Sequence, residues 1–485
     1  LYNDPVSRSG FMNMRSLNSI VTDSSAASSS WGSGSRIMNG AVNMLPDGRW
    51  LTPLYTVFAE AGWARGLVTT TEITHATPAG FAANAWTREN PLTIASQYIE
   101  RKVEVLLGGG AAHFDGGRRS DKRDLKQEFR DAGYAVAMDF QELKAAPVGD
   151  RLLGLFAGGH LPFALDHLRD PKLVEKIPTL AAMTRAAIER LARNDRFILQ
   201  VEGGRVDHGA HNSDAAAALY DQLALDDAID VCLAFQRENP DTLVVLTSDH
   251  GNANFGLNGT GSGYGESSPR FANLRNIMST FPTILDRLRK RGTSIEAPLI
   301  APDRDDALTP KSSPYKVAEP EKLPRDPVIR STVEKLASAP TKAVGSGLEV
   351  SAQDIAEVIG DATGFKVSVR RAEAFARVLA GHPGALYDNL NTVTAQLGLL
   401  MANHHAIGFT SGAHTGDYVP VLAVGPGADR FHGFIENTDV FVHFTDLAGI
   451  NFRNPTLPLL SEAAPAASGV ERIASYADAE VSGQA

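Results

Sequence analysis

Short apolar runs alternate with longer amphipathic stretches over residues 1–260, which predicts strands joined by helices. The predicted strands are residues 66–70, 103–107, 197–201 and 242–247. Each run is followed at once by a polar or glycine-rich segment. Strands that alternate with helices are typical of an α/β fold. We therefore predict a three-layer sandwich with a largely parallel central sheet flanked by helices.

Two stretches between these runs have the 3.6-residue period of helices, residues 177–192 and 213–236. On the second, the apolar side chains predicted to face the core are Leu219, Leu223, Ile229 and Leu233. The acidic side chains predicted to face water are Asp221, Asp226 and Asp227.

The pattern changes after residue 252. Residues 252–265 are rich in Gly, Asn and Ser and predict a mobile loop, and residues 308–343 carry six prolines and predict an extended connection. Further helices are predicted at 352–359, 371–380 and 387–402, and a strand at 418–424. Because strand character resumes there, we predict an α/β core of residues 1–260 and 411–461, an inserted cap or crown at 261–410, and a flexible tail at 462–485.

Composition excludes several classes of protein. The 485 residues carry a formal net charge of −10, which argues against a nucleic-acid partner, since phosphate backbones attract basic surfaces. The single cysteine, Cys232, excludes an intrachain disulfide framework and a thiolate zinc cluster. No apolar run is long enough to cross a bilayer, and no signal peptide is present.

Candidate metal ligands follow several of the predicted strands. Asp207 and His211 are four residues apart, so one helical turn places both side chains on the same side, as suits zinc. A helix N-terminus with a core histidine explains this pair equally well. Asp249 and His250 come directly after a predicted strand, where a simple Asp-His-Gly turn is the alternative. His414 lies near glycines and, taken alone, is a loop histidine.

These segments also contain His75 and His208. The other eight of the 13 histidines have no comparable partner spacing and are treated as surface or core residues. In open α/β sheets, functional sites form at the carboxyl ends of the strands, so one pocket is expected to collect these segments.

Ser24 lies in the serine-rich run Asp23-Ser24-Ser25-Ala26-Ala27. Composition alone suggests a flexible linker. The preceding Ile20-Val21 pair instead allows Ser24 to begin a helix, where free N–H groups favour an anion. No Gly-x-Ser-x-Gly elbow surrounds Ser24, so a metal ion is the expected activator of this serine.

In combination, these motifs resemble those of the alkaline phosphatase family from residue 20 to residue 415. The resemblance implies a phosphomonoesterase with two zinc ions and one magnesium ion, in which Ser24 is phosphorylated, Arg88 clamps phosphate and Asp23 positions Arg88. The implied ligands of one zinc are Asp207, His211 and His414, and those of the other are Asp249, His250 and Ser24. The implied magnesium residues are Thr77 and Glu202. His75 and His208 stand at positions where some members carry Asp and Lys and others histidine pairs, so we also expect them at this metal site, where they would loosen the preference for magnesium or admit a third transition metal.

The chain departs from the family pattern in two places. Ser25 follows the nucleophile where the family has Ala or Gly, so Ser25 competes with Ser24 for that role. No apolar strand ending in Asp-Gly precedes Ser24, although its aspartate bridges zinc and magnesium in the family. We therefore expect either a segment upstream of Leu1 or damaged metal sites.

The resemblance also implies small-molecule phosphate monoesters and inorganic phosphate as ligands, a periplasmic or extracellular location, and allows a homodimer. The alternatives are a phosphodiesterase or another metal-dependent hydrolase of the same superfamily, and a catalytically impaired binding protein.

Overall fold

The structure, a computed structural model, describes residues 7–149, 151–295, 347–382 and 384–459. The strands in these ranges are β1 (Arg8–Asn13), β2 (Ala64–Glu72), β3 (Val105–Gly109), β4 (Tyr134–Ala137), β5 (Arg151–Leu155), β6 (Phe197–Glu202), β7 (Val244–Thr247), β8 (Gly251–Asn252), β9 (Gly256–Leu257), β10 (Thr293–Ser294), β11 (Leu348–Glu349), β12 (Ile407–Gly408), β13 (His414–Thr415), β14 (Val419–Val424) and β15 (Gly433–Glu436).

The α-helices of the same ranges are α1 (Ser24–Ser33), α2 (Leu54–Glu60), α3 (Ala76–Ala82), α4 (Pro91–Glu100), α5 (Leu125–Asp131), α6 (Phe140–Ala145), α7 (Ala164–Arg169), α8 (Pro171–Lys176), α9 (Leu180–Leu191), α10 (Arg205–His211), α11 (Ala215–Glu238), α12 (Ser267–Ala272), α13 (Phe281–Arg291), α14 (Ala352–Thr363), α15 (Val369–Leu379), α16 (Val393–His405) and α17 (Asp439–Leu447). None of the described helices is both long and apolar enough to span a membrane.

A five-stranded parallel sheet forms one half of the core, in the order β4-β5-β3-β2-β6. Successive side chains of β2 point to opposite faces, so Leu67 packs in one apolar cluster and Val68 in another. The Leu67 cluster contains side chains of α1 to α5, and the Val68 cluster contains side chains of α9 and α11. The predicted parallel sheet flanked by helices is confirmed.

A second sheet of four strands has the order β15-β1-β14-β7, with β14 antiparallel to both neighbours. Within the described residues, β6 pairs only with β2, and β7 pairs only with β14. The residues of β6 and β7 are half-buried throughout. The division between the two sheets therefore lies between β6 and β7.

The predicted elements are present with shifted ends. On α11, Asp226 and Asp227 are exposed as predicted, but the orientation predicted for Leu219, Asp221 and Leu223 is wrong. Asp221 is buried at 3% exposure, whereas Leu219 and Leu223 are exposed at 39% and 50%. Asp221 is buried because its Oδ2 accepts a hydrogen bond of 3.1 Å from the N–H of Ala164, at the start of α7. The other fully buried residues on this helix are alanines, so leucine spacing did not reveal the buried face.

The predicted insertion has an apolar cluster of its own. Side chains from α13 to α16 form it, and they pack against Ala215 and Ala216 at the start of α11. Part of the predicted loop at 252–265 is ordered as short strands, because β8 pairs with β13 and β9 with β12. The predicted proline-rich connection at 308–343 and the tail at 462–485 lie outside the described residues. The division into core and insertion stays a prediction.

Candidate metal centre

The predicted site residues meet where three strands end. His75 precedes α3 just after β2, Asp207 lies in α10 just after β6, and Asp249 follows β7. Ser24 and His414 reach the same region from α1 and β13. The two sheets therefore bring together segments separated by almost 400 residues. One pocket was expected here because functional sites in open α/β sheets form at the carboxyl ends of the strands.

Ser24 is the first residue of α1, and the linker interpretation of this serine-rich run is wrong. All ten residues of α1 are buried. Asp23 caps the helix, since its Oδ1 accepts a 2.9 Å hydrogen bond from the N–H of Ala26. The Ser24 hydroxyl oxygen lies 2.9 Å from Nε2 of His250.

The two candidate nucleophiles have different surroundings. The hydroxyl of Ser25 donates a 2.7 Å hydrogen bond to Oδ2 of Asp23, and Ser25 is fully buried. Of these two serine hydroxyls, that of Ser24 contacts a predicted zinc ligand, His250. The geometry thus favours Ser24 as the nucleophile.

Arg88 is held between Asp23 and His75. Its Nη1 donates to Oδ2 of Asp23 at 3.2 Å, and its Nη2 donates to Nε2 of His75 at the same distance. The Asp23 oxygen also accepts from the N–H of Gly40 at 3.0 Å. This carboxylate therefore fixes the direction of the guanidinium group, which matches the predicted positioning role of Asp23.

Asp207, His211 and His414 form a compact group of ligand atoms. Oδ1 of Asp207 lies 3.4 Å from Nε2 of His211 and 3.7 Å from Nε2 of His414. Nδ1 of His211 faces the carbonyl oxygen of Gly412 at 2.7 Å, and Nδ1 of His414 faces that of Thr22 at 2.8 Å.

A carbonyl oxygen can only accept a hydrogen bond, so each Nδ1 carries the proton and each Nε2 exposes a lone pair. This is the arrangement that zinc-binding histidines adopt. The two Nε2 atoms lie 3.0 Å apart, and a cation bound by both lone pairs would stabilise this arrangement. The residues present therefore fit a zinc ion.

Asp249 and His250 lie beside this group. Oδ2 of Asp249 is 3.2 Å from Nε2 of His250, whose ring stacks on that of His414 with centroids 3.5 Å apart. Burial lowers the pKa of His250, but the Asp249 carboxylate outweighs that effect and brings it to about 9. One atom each from Asp207, His250 and His414 lies within 4.8 Å of the others, so the two predicted zinc sites are adjacent.

Thr77 and Glu202 lie near Asp249. The Thr77 hydroxyl is 3.5 Å from Oδ2 of Asp249, and Glu202 Oε2 accepts from the hydroxyls of Thr69 and Thr71. Burial raises the pKa of Glu202 to about 7. A carboxylate in such surroundings is ionised more readily when a cation lies nearby, which fits the predicted magnesium residue.

The structure places His160 beside His75 and His208, and sequence reasoning missed it. One ring nitrogen of each lies within 4.8 Å of the other two. His160 had been treated as a surface or core residue, although it follows β5 in the glycine-rich segment Gly158-Gly159-His160. Its place after a strand end was the available signal.

Two further residues near the site were also missed. Nδ2 of Asn252 donates to Oδ1 of Asp207 at 2.5 Å and orients that carboxylate. Nη1 of Arg205 donates to Nδ1 of His208 at 2.7 Å. Asn252 contacts Asp207 and Arg205 contacts His208, so each orients a site residue by a hydrogen bond. The motifs found by spacing contain only the candidate ligands and therefore did not reveal either residue.

The chain is similar to known proteins in both sequence and structure. A model of the alkaline phosphatase family matches residues 3–303. Alkaline phosphatases 4 and 3 of Bacillus subtilis are each 30% identical to the chain, over 86% and 87% of its length and 75% of theirs. The crystal structure of Thermus thermophilus alkaline phosphatase superposes with a TM-score of 0.76 at 31% identity, covering 94% of this chain and 86% of that one. The chain therefore belongs to the alkaline phosphatase family, a family of phosphomonoesterases.

Proposed function

We propose that the chain hydrolyses small-molecule phosphate monoesters through a phosphoserine on Ser24, at a site that holds two zinc ions and one magnesium ion. The observation that carries this proposal is the contact between His211 and His414, whose Nε2 atoms lie 3.0 Å apart while both Nδ1 atoms face backbone carbonyl oxygens. Asp207, His211 and His414 would hold one zinc, Asp249, His250 and Ser24 the other, and Thr77 and Glu202 the magnesium.

Each residue has a distinct task in this proposal. Ser24 attacks the phosphorus atom, and the leaving alcohol departs on the opposite side. The N-terminal turn of α1 directs free N–H groups toward the transferred phosphoryl group. When bound, the metal ions supply Lewis-acid stabilisation and lower the pKa of the serine hydroxyl and of water.

Arg88 recognises the phosphoryl oxygens. Its Nη1 donates one hydrogen bond to Asp23 and its Nη2 donates one to His75. The guanidinium group has five N–H donors, so the others remain for the substrate. A monoester carries more charge on these oxygens than a diester, and a guanidinium group neutralises that charge. This favours monoesters over the diesters of the rival proposal.

A catalytically impaired binding protein is the other candidate. An impaired binding protein would bind phosphate without hydrolysing a phosphate monoester. Incubating the zinc- and magnesium-loaded protein with phenyl phosphate at alkaline pH, then trapping labelled phosphoserine in acid, distinguishes the two. Turnover and labelling that disappear in Ser24→Ala support the enzyme, and binding without either supports the binding protein.

The resemblance supports two finer proposals, a periplasmic or extracellular location and a homodimer. Fractionation of the source cells tests the location. Sedimentation of the purified protein tests the assembly.

A further inference from the structure

His75, His160 and His208 form a second histidine cluster at the site, on the side of Arg88 away from Asp23. All three side chains are half-buried. Three ring nitrogens within 4.8 Å of one another are enough for a catalytic zinc site. The groups that contact these rings decide whether a metal ion suits them.

Each ring is contacted by a group that can only donate a hydrogen bond. Nη2 of Arg88 lies 3.2 Å from Nε2 of His75, and Nη1 of Arg205 lies 2.7 Å from Nδ1 of His208. The backbone N–H of Glu72 donates to Nδ1 of His160 at 3.1 Å. The contacted nitrogen must accept in every case, so the other nitrogen of each ring carries the proton.

The free nitrogens are therefore N–H groups, namely Nδ1 of His75, Nε2 of His160 and Nε2 of His208. Nδ1 of His75 is buried and has no hydrogen-bond partner among the described residues. At His211 and His414 the outer nitrogens face carbonyl oxygens and the inner ones expose lone pairs. In the second cluster a donor already occupies one lone pair on each ring, so a metal ion would have to displace these donors.

Arg205 brings a positive charge to the cluster, and the carboxylates of Asp166 and Asp221 offset it only from beyond 4.0 Å. The guanidinium of Arg205 stacks on the ring of Phe163 at 3.6 Å, and within the described residues no carboxylate lies within 4.0 Å of it. Its Nε is buried and has no hydrogen-bond partner in that part of the chain. The nearby carboxylate of Glu72 contacts His113 at 2.9 Å. A buried cation without a paired anion is costly, and an anionic ligand would stabilise it.

We propose that His75, His160, His208 and Arg205 bind an oxyanion beside the phosphoryl group held by Arg88. The site would then prefer phosphate monoesters that carry a second anionic group close to the ester. This inference rests on the proposed function. The oxyanion is either that second group of the substrate or a free anion such as sulfate.

The test uses the full chain, loaded with zinc and magnesium, and two substrates. Ethyl phosphate has no charged group besides its phosphate. Phosphoglycolate has the same ester linkage and carries a carboxylate on the adjacent carbon. The ratio of kcat/KM for phosphoglycolate to that for ethyl phosphate is measured in the parent chain, in His160→Ala and in His160→Gln. His113→Ala is the matched control, because His113 contacts Glu72 but lies outside the cluster.

We expect His160→Ala to lower the ratio about tenfold, since one hydrogen bond to a charged group is lost. The glutamine amide, which can donate, should restore part of it, and His113→Ala should leave it unchanged. Zinc content per chain should be equal in all four proteins. An unchanged ratio in both His160 variants, or the loss of one zinc equivalent in either, overturns the proposal.

Added sulfate distinguishes the two sources of the oxyanion. If sulfate lowers the ratio in the parent chain but not in His160→Ala, a free anion also occupies the cluster. If sulfate leaves the ratio unchanged while His160→Ala lowers it, the substrate's own group is the occupant. Failure of the proposed function is recognised separately, because ethyl phosphate would then not be hydrolysed by the parent chain.

Discussion

Nε2 of His211 and Nε2 of His414 lie 3.0 Å apart, and both rings direct Nδ1 to a backbone carbonyl oxygen. The two carbonyl groups belong to Gly412 and Thr22, which are almost 400 residues apart in the chain. The folded backbone therefore sets the tautomer of both rings before any ligand binds. Two lone pairs held at this distance repel each other unless a cation lies between them.

The first prediction follows from that repulsion. His414→Ala should remove one zinc equivalent per chain and lower kcat at least a hundredfold, because the remaining ligands no longer enclose the ion. Metal analysis and phenyl phosphate turnover measure both effects. His432→Ala, at an exposed histidine, is the control. Full zinc content in His414→Ala would contradict the assignment.

The second prediction separates the two adjacent serines. Ser24→Ala should lower kcat by about a thousandfold or more, since it removes the nucleophile. Ser25→Ala should retain phosphoserine labelling, because Oδ2 of Asp23 keeps its contacts with Gly40 and Arg88. Acid trapping of labelled enzyme and steady-state kinetics provide the comparison. Labelling that survives in Ser24→Ala but is lost in Ser25→Ala would reverse the assignment.

The third prediction concerns Arg88. Arg88→Ala should reduce kcat/KM for a phosphate monoester about a hundredfold or more, since two charge-assisted hydrogen bonds are lost. Turnover of a phosphate diester should fall much less. Both are measured on one metal-loaded preparation, with Arg36→Ala as a control on a half-buried arginine that pairs with Glu436. An equal loss on both substrates would favour the diesterase alternative.

The sequence alone predicted the strands and the shared helical turn of Asp207 and His211, because both depend on local spacing. Apolar runs mark strands whatever lies across the sheet, and the pair Asp207 and His211 shares one helical turn in the structure as predicted. Ser24 was also predicted correctly as the start of a helix, since Asp23 is a favourable cap.

The rest depended on contacts between distant segments. The buried face of α11 follows from the hydrogen bond between Asp221 and the backbone of Ala164, and no periodicity reveals that bond. His160 reaches its cluster through the backbone N–H of Glu72, 88 residues earlier. Sequence spacing could not predict which of the histidine nitrogens faces a donor and which faces an acceptor.

The fourth prediction is a pH dependence of stability. Burial raises the pKa of Asp221 to about 7, well above its value in the unfolded chain. The folded state therefore binds the proton more tightly, so this group's contribution is fully present below the unfolded pKa of about 4 and is lost as pH rises through about 7. Asp221→Asn should be more stable than the parent chain at pH 8, by up to about 4 kcal/mol, and nearly equal to it at pH 4.

Urea unfolding of metal-loaded protein at both pH values measures this difference. Asp226→Asn, at an exposed position of the same helix, is the control and should change stability little at either pH. A stabilisation by Asp221→Asn that is as large at pH 4 as at pH 8 would exclude the proposed titration.

The last prediction links helix packing to the nucleophile. A Cβ atom at Gly80 would lie 2.3 Å from the Ser28 hydroxyl oxygen, which itself donates to the carbonyl of Thr77. Gly80→Ala must therefore separate α1 from α3, and Ser24 and Thr77 with them, at a cost of about 1–3 kcal/mol. We expect a lower unfolding free energy together with a reduced kcat for phenyl phosphate. Gly360 lies within α14, and a Cβ atom there would be 3.8 Å from its nearest neighbour, the carbonyl oxygen of Phe365. Gly360→Ala should therefore raise the unfolding free energy slightly and leave kcat unchanged. A Gly80→Ala protein with unaltered kcat would show that this contact does not position Ser24.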